Sequence, residues 1–261
     1  MTGETTVWAS EIPWPPSVND FFPPPLVEGG GYWLTKFTLF VWITVALLII
    51  FFTIAYRDPK LVPGRLQWMA ESIYGFAREN VAKDMIGPEG VKFAPYLATL
   101  FCFILLNNLW GIIPFIQVAP TSHIAYPAFL AVISWVLFNY VGVRRFGFLG
   151  YMKKTLILPA PFFILPLLIP IEFASTFLVR PFTLAVRLFA NMFAGHIILL
   201  VFTLGGFVLL NASALFAPVS VFSWLLALAL TLLETLVALL QAFIFTVLTS
   251  SYIQGALAEE H

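Results

Sequence analysis

Between Lys154 and Glu259 the chain carries only four charged side chains, Glu172, Arg180, Arg187 and Glu234. A soluble domain carries charge at about one residue in four. The whole chain here is 10% charged and 61% hydrophobic. The uncharged runs are long enough for membrane-crossing helices, which need about 20 residues each, and far longer than barrel strands. The sequence therefore predicts an all-α integral membrane protein.

Residues 37–56, 93–116 and 124–143 are uncharged and predict three spans. Residues 1–31 form a tail punctuated by proline (Pro13, Pro15-Pro16, Pro23-Pro24-Pro25) without Lys or Arg. The remainder, 32–261, is expected to be one membrane domain. Arg57, Lys60 and Arg65 follow the first span, and Arg144, Arg145, Lys153 and Lys154 follow the third. Positive residues stay on the cytoplasmic side. The tail is thus expected outside and the C-terminus inside. In residues 65–86, Leu66, Met69, Ile73, Phe76 and Ala77 recur at helical spacing among charges. This predicts an amphipathic helix, either on the cytoplasmic interface or packed on protein as a connector.

Residues 156–171 hold Pro159, Pro161, Pro166 and Pro170 and are expected to be irregular or a broken helix. Helical patterns then cover 172–210 and 215–258, with a turn at Asn211-Ala212-Ser213. At 1.5 Å per residue the second is about 66 Å long, against a hydrocarbon core of about 30 Å. Without a turn signal inside it, a long tilted antiparallel hairpin is the expected arrangement. The total is about five transmembrane helices and one amphipathic helix.

Arg180, Thr183, Leu184, Arg187 and Asn191 fall on one helical face. A fixed cation at bilayer depth costs about 2.5–3.5 kcal/mol on insertion scales, so it calls for a role. Snorkelling to headgroups is the plainer account, better suited to Arg180 than to Arg187, since residues 188–210 are uncharged. His196, nine residues after Arg187, lies on the opposite side of that helix. Counted from a turn near 213, His196 and Glu234 reach similar depth. A His–Glu pair in low dielectric can share or pass a proton, or serve as a buried structural pair. Gln241 and either Thr249 or Tyr252 fall near the face of Glu234. Asn107 and Asn108 are expected to bond to neighbouring helices.

Zero net charge gives no case for nucleic acid. One cysteine, Cys102, supports no disulfide framework, and the histidines make no metal spacing. No phosphate loop, dinucleotide motif or nucleophile elbow occurs, so no cofactor is expected. Buried proton-handling groups beside a fixed cation suit ion translocation. A stand-alone secondary transporter or channel is the alternative, but residues 33–143 and 156–258 show no repeat.

The run Arg187-Leu188-Phe189-Ala190-Asn191-Met192-Phe193-Ala194-Gly195-His196 resembles the signature of subunit a of F-type ATP synthases. So does Leu240-Gln241-Ala242-Phe243-Ile244-Phe245-Thr246-Val247-Leu248-Thr249. Asn108-Leu109-Trp110-Gly111-Ile112-Ile113-Pro114 and the Glu259-Glu260-His261 ending are similar to bacterial members. The resemblance spans roughly 34–261. It implies a non-catalytic, proton-conducting stator subunit in a bacterial plasma membrane. Its partners would be a ring of c subunits, peripheral-stalk b subunits, the rest of the synthase and lipid. It gives Arg187 the role of stator arginine facing the ring, with Asn191 and Gln241 beside it; Arg180 and Thr183, on the same helical face, are expected to support it. His196 and Glu234 match a pair in the outer half-channel, with acid and imidazole exchanged relative to some members. Glu172 matches an acidic residue of the inner half-channel. Gly111 stands where some members carry an acid. His196 beside Glu234 favours protons over sodium.

Overall fold

A computed structural model describes residues 35–113, 116–156 and 163–258. The proline-rich tail and the Glu259-Glu260-His261 ending lie outside them. Helix α1, Lys36–Ala55, starts where Thr35 Oγ1 accepts the Thr38 N–H at 3.4 Å. Pro63-Gly64 breaks the chain, and α2 runs Arg65–Phe76. It widens into a π-helical stretch, Ala77–Lys83, before the single turn α3, Asp84–Ile86. Buried Ala77, Val81 and Ala82 line the inner side of that stretch, and Ser250 Oγ donates to the Val81 carbonyl at 3.3 Å. Gly87, at φ +94°, turns the chain, and a 3₁₀ stretch, Pro88–Phe93, leads into α4, Ala94–Leu109.

Three boundaries differ from the uncharged runs. First, α4 ends at Leu109 rather than near 116, and 111–113 form turns whose N–H groups donate to the Asn108 and Leu109 carbonyls. Pro114 lies just ahead, and the residue before a proline disfavours helix. Second, α5 spans Ala125–Leu156, but Gly147 at φ +73° interrupts it. A Cβ on Gly142 would run into the Tyr151 ring, and Tyr151 Oη donates to Asn139 Oδ1 at 3.1 Å. On a straight helix residues 142 and 151 would stand about 13.5 Å apart, so the chain folds back after Gly147. Third, helix resumes at Leu165 inside the proline-dotted stretch expected to be irregular or a broken helix. Pro166 occupies its first turn, where no N–H is needed.

From there the helix is continuous: α6 Leu165–Ala174, a π segment Ser175–Val179, then α7 Arg180–Ala212. Pro181 cannot donate to the carbonyl four residues back, and the π segment sits where that bond is missing. The turn falls at Ser213, one residue past a helix that runs through Asn211 and Ala212, and α8 follows as Ala217–Leu257. At 1.5 Å per residue α8 is about 62 Å long, and α6 to α7 longer still, so the pair exceeds one upright span. Near the turn, Ser223 Oγ donates to the Phe202 carbonyl at 2.7 Å. Buried Gly205 and Gly206 make a notch there, in which Gly206 takes the Trp224 indole.

The core joins α4, α5, α7 and α8 through Leu100, Phe101, Ile104, Leu130, Leu184, Leu188, Ala242 and Phe245. Small residues at Ala185, Ala238 and Ala242 let helices approach, because packing rather than water exclusion drives association in lipid. Large apolar side chains such as Trp42, Ile49, Leu225 and Leu232 point outward. Among the described residues, five helices are long and apolar enough to cross a membrane. With that outward-facing apolar surface, the protein is an all-α integral membrane protein.

Candidate functional site

Helices α7 and α8 place the buried acid and base together. His196 Nδ1 lies 2.5 Å from Glu234 Oε1, with the side chains 10% and 6% exposed. The same nitrogen faces the Met192 carbonyl at 2.9 Å, one turn back on α7. The Met192 carbonyl is the hydrogen-bond partner of Nδ1, and Glu234 Oε1 stands at ion-pair distance from the same nitrogen without a hydrogen bond of its own. Gly195 makes room for the acid: a Cβ would sit 3.0 Å from Glu234 Oε1. His196 Nε2 is buried without a hydrogen-bond partner. It borders a cavity of about 140 Å³ lined by Gly111, Gln117, Leu199, Leu200, Thr203, Leu204 and Glu234. That volume exceeds the space one water needs, and His196, Gln117, Thr203 and Glu234 place polar groups on an otherwise apolar lining. Gln117, at the cavity, has φ +44°, unusual for a side chain of its kind.

Arg187 is exposed, and among the described residues it makes no hydrogen bond or ion pair. One turn on, Asn191 Nδ2 donates to Gln241 Oε1 at 2.7 Å. Gln241 is 2% exposed, and its Nε2 has no partner. Arg187 thus opens beside the seam where α7 meets α8, on the side of α7 away from His196. The predicted stripe is only partly one surface. Leu184 is 2% exposed and joins the core, because positions three apart differ by about 60° around the helix. Thr183 spends its hydroxyl on the Val179 and Arg180 carbonyls, at 2.8 and 3.1 Å. Arg180 is half-buried, with its guanidinium 5.5 Å from the Tyr252 ring centre.

Glu172 stands half-buried on α6, about 22 Å along the helix from Arg187. It makes no ion pair among the described residues. Thr249 is fully buried and bonds the Phe245 carbonyl, whereas Tyr252 reaches Arg180 and Phe138.

Both asparagines of α4 are buried. Asn108 Nδ2 donates to the Ala238 carbonyl of α8 at 3.2 Å, and Asn107 accepts from Thr44 of α1 at 3.4 Å. Sequence reasoning gave no role to Gly111, Gln117 or Thr203. Only folding brings them to His196, and no periodic signal links such distant positions.

The family model described as "ATP synthase A chain" matches residues 38–254. Among curated proteins, the subunit a of ATP synthase from a Nocardioides strain is 44% identical, over 95% of this chain and 94% of its own length. That from Rhodococcus erythropolis is 41% identical, over 98% and 95%. That from a Parafrankia strain is 49% identical, over 80% and 70%. The match takes in α1 to α8, including both segments that carry Arg187, His196, Glu234 and Gln241, and the chain belongs to the ATP synthase A chain family.

Proposed function

We propose that this chain is the proton-conducting stator subunit of the membrane sector of a rotary ATP synthase. The observation that carries the proposal is the opposition on α7. An exposed, unpaired Arg187 stands on one side, and the buried His196–Glu234 pair on the other, about 13.5 Å along the axis. The exposed arginine meets a carboxylate of a ring of c subunits. An opposite charge a few Å away favours the ionised carboxylate, so a proton leaves it there. Once rotated past Arg187 the carboxylate takes up a proton and enters lipid neutral. The His196–Glu234 pair loads protons from the outer side and Glu172 serves the inner side. Arg187 also bars direct passage between the two, since a proton would have to approach a fixed cation. Asn191 and Gln241 support the seam beside Arg187. Arg180 and Thr183 hold the inner end of α7, where Arg180 stacks on Tyr252.

The cation clusters after α1 and in the C-terminal half of α5 support an N-terminus outside and a cytoplasmic C-terminus, in a bacterial plasma membrane. The ring, the peripheral-stalk b subunits and surrounding lipid are the partners. The driving force is about 2.3 kcal/mol per charge per 100 mV.

The test is ATP-driven acidification of inverted membrane vesicles carrying Arg187→Ala, beside wild type. The proposal expects pumping to vanish with the complex still assembled. Pumping that persists would make the arginine a packing or snorkelling feature and remove the proposal's main support.

A further inference from the structure

The last turn of α4 and the turn after it hold the His196–Glu234 pair from outside the α7–α8 hairpin. Asn108 is fully buried. Its Nδ2 donates to the Ala238 carbonyl, one turn beyond Glu234 on α8, and its Oδ1 accepts from Thr121 Oγ1 at 2.6 Å. One side chain thus ties α4, the short 3₁₀ helix Pro120–Ser122 and α8 beside the acid. Gly111 stands three residues further on. A Cβ there would overlap Nε2 and Cε1 of the His196 ring and the Cβ of Ala119. The imidazole therefore stands in a slot with Gly111 on one side and the Glu234 carboxylate on the other.

We propose that Asn108 and Gly111 are positioning residues for the His196–Glu234 pair. Asn108 sets the height of α8 against α4, and Gly111 leaves the space in which the ring can face the acid. The inference rests on the proton-conducting function proposed for that pair. The backbone at Gly111 is fixed by core packing and by turn bonds to Asn108, so an added methyl displaces the ring rather than the helix. A ring so displaced loses its contact with Glu234.

Among the described residues, no third acid or base is recorded in contact with the pair. Besides Glu234, α8 carries no Asp, Glu, Lys, Arg or His. On α7 the other charges are Arg180 and Arg187, the latter on the far side. The titratable groups of α4 are Tyr96, bonded to Ser134, and Cys102, in the core. Pro120–Ser122 carries none, and the adjacent His123 packs on Phe37 and Tyr126. Displacing the ring breaks the Nδ1–Oε1 contact, and passage of a proton between the two groups slows as they separate.

The experiment measures proton-driven ATP synthesis by the whole enzyme in liposomes. Outer pH is varied at fixed inner pH and potential, and rates are normalised to assembled subunit. For Gly111→Ala the expected result is a rate lowered about tenfold or more. Its dependence on outer pH should also differ from that of wild type. Gly75→Ala, on α2 with open space around it, should superimpose on wild type. A Gly111→Ala profile per assembled enzyme identical to wild type overturns the inference. Should that variant fail to accumulate, Asn108→Ser carries the same expectation of a lowered rate and an altered profile, and an unchanged profile is equally fatal. His196→Ala and Glu234→Gln report on the underlying proposal separately. Unaltered rates in both would remove the pair from the proton path, whatever Gly111→Ala does.

Discussion

Asn191 donates its amide to Gln241 across the α7–α8 seam at 2.7 Å, and this bond joins an exposed residue of one helix to an almost fully buried residue of the other. Gln241 depends on it. Its Oε1 has that donor, while its Nε2 has no partner. Asn191→Leu leaves the whole buried amide unpaired, at a cost of roughly 1–3 kcal/mol. Replacing both partners by apolar groups is close to neutral. Thermal unfolding in detergent should therefore show Asn191→Leu well below wild type and Asn191→Leu/Gln241→Leu largely recovered. Proton pumping should be lost in both, because the double variant restores packing without restoring polar groups beside Arg187. Recovery of pumping along with stability would reduce the pair to a packing contact.

Helix number, the amphipathic segment and the late hairpin were legible because charge and hydropathy are local properties of the chain. The His196–Glu234 meeting was legible too, since an antiparallel hairpin fixes depth by counting from its turn. What escaped were features that depend on a distant neighbour or on backbone torsion. Gly147 reads as one glycine among sixteen, yet its φ of +73° ends the upright part of α5. The π segment before Arg180 shifts the register of α6 against α7, which a strict 100° count does not anticipate. Leu184 shared the arginine stripe on paper but packs into the core, because a helical face is wide enough to include its own edge. Gly111 looked like a position lacking an acid, whereas its missing Cβ is what admits the His196 ring.

Gly206 and Trp224 lock the hairpin near its turn. A Cβ on Gly206 would meet the indole Nε1 and Cδ1, and that Nε1 donates to the Thr203 carbonyl at 3.4 Å. Overpacking such a notch costs about 1–3 kcal/mol. Gly206→Ala should lower thermal stability by that order. In a double-mutant cycle with Trp224→Leu, the two losses should be strongly non-additive, since the smaller side chain vacates the notch. Additive losses would mean the glycine is needed for its backbone rather than for the indole.

Glu79, on the π stretch outside the membrane spans, lies 2.9 Å from Lys83 and 3.6 Å from Arg78. The hydrogen bond and charge of Lys83, then the charge of Arg78, hold its carboxyl below the ordinary value of 4.5. A lowered folded-state value means the pairing adds stability above the unfolded value, lost as pH falls through the folded one. The group is fully exposed, so the effect is small and screened by salt. Thermal midpoints of wild type and Glu79→Gln should differ slightly at neutral pH in low salt and converge on acidification below 4.5. A difference that grows toward acid would reverse the sign and refute the pairing.

Arg187→Lys separates fixed charge from charge in general. Arginine keeps its proton under all physiological conditions and offers a planar fork to a carboxylate. Lysine is a compact point charge that loses its proton readily when desolvated. If Arg187 both stabilises the ring carboxylate and bars direct leakage, a lysine does each imperfectly. It neutralises when a carboxylate is absent, and then no longer repels a passing proton. Arg187→Lys should therefore abolish coupled ATP synthesis in membranes where the complex assembles normally. Passive proton conduction through membranes stripped of the soluble sector should remain measurable or rise. Near-normal proton-driven synthesis by this variant would show that any cation suffices at position 187, and would overturn the leak-barrier role with it.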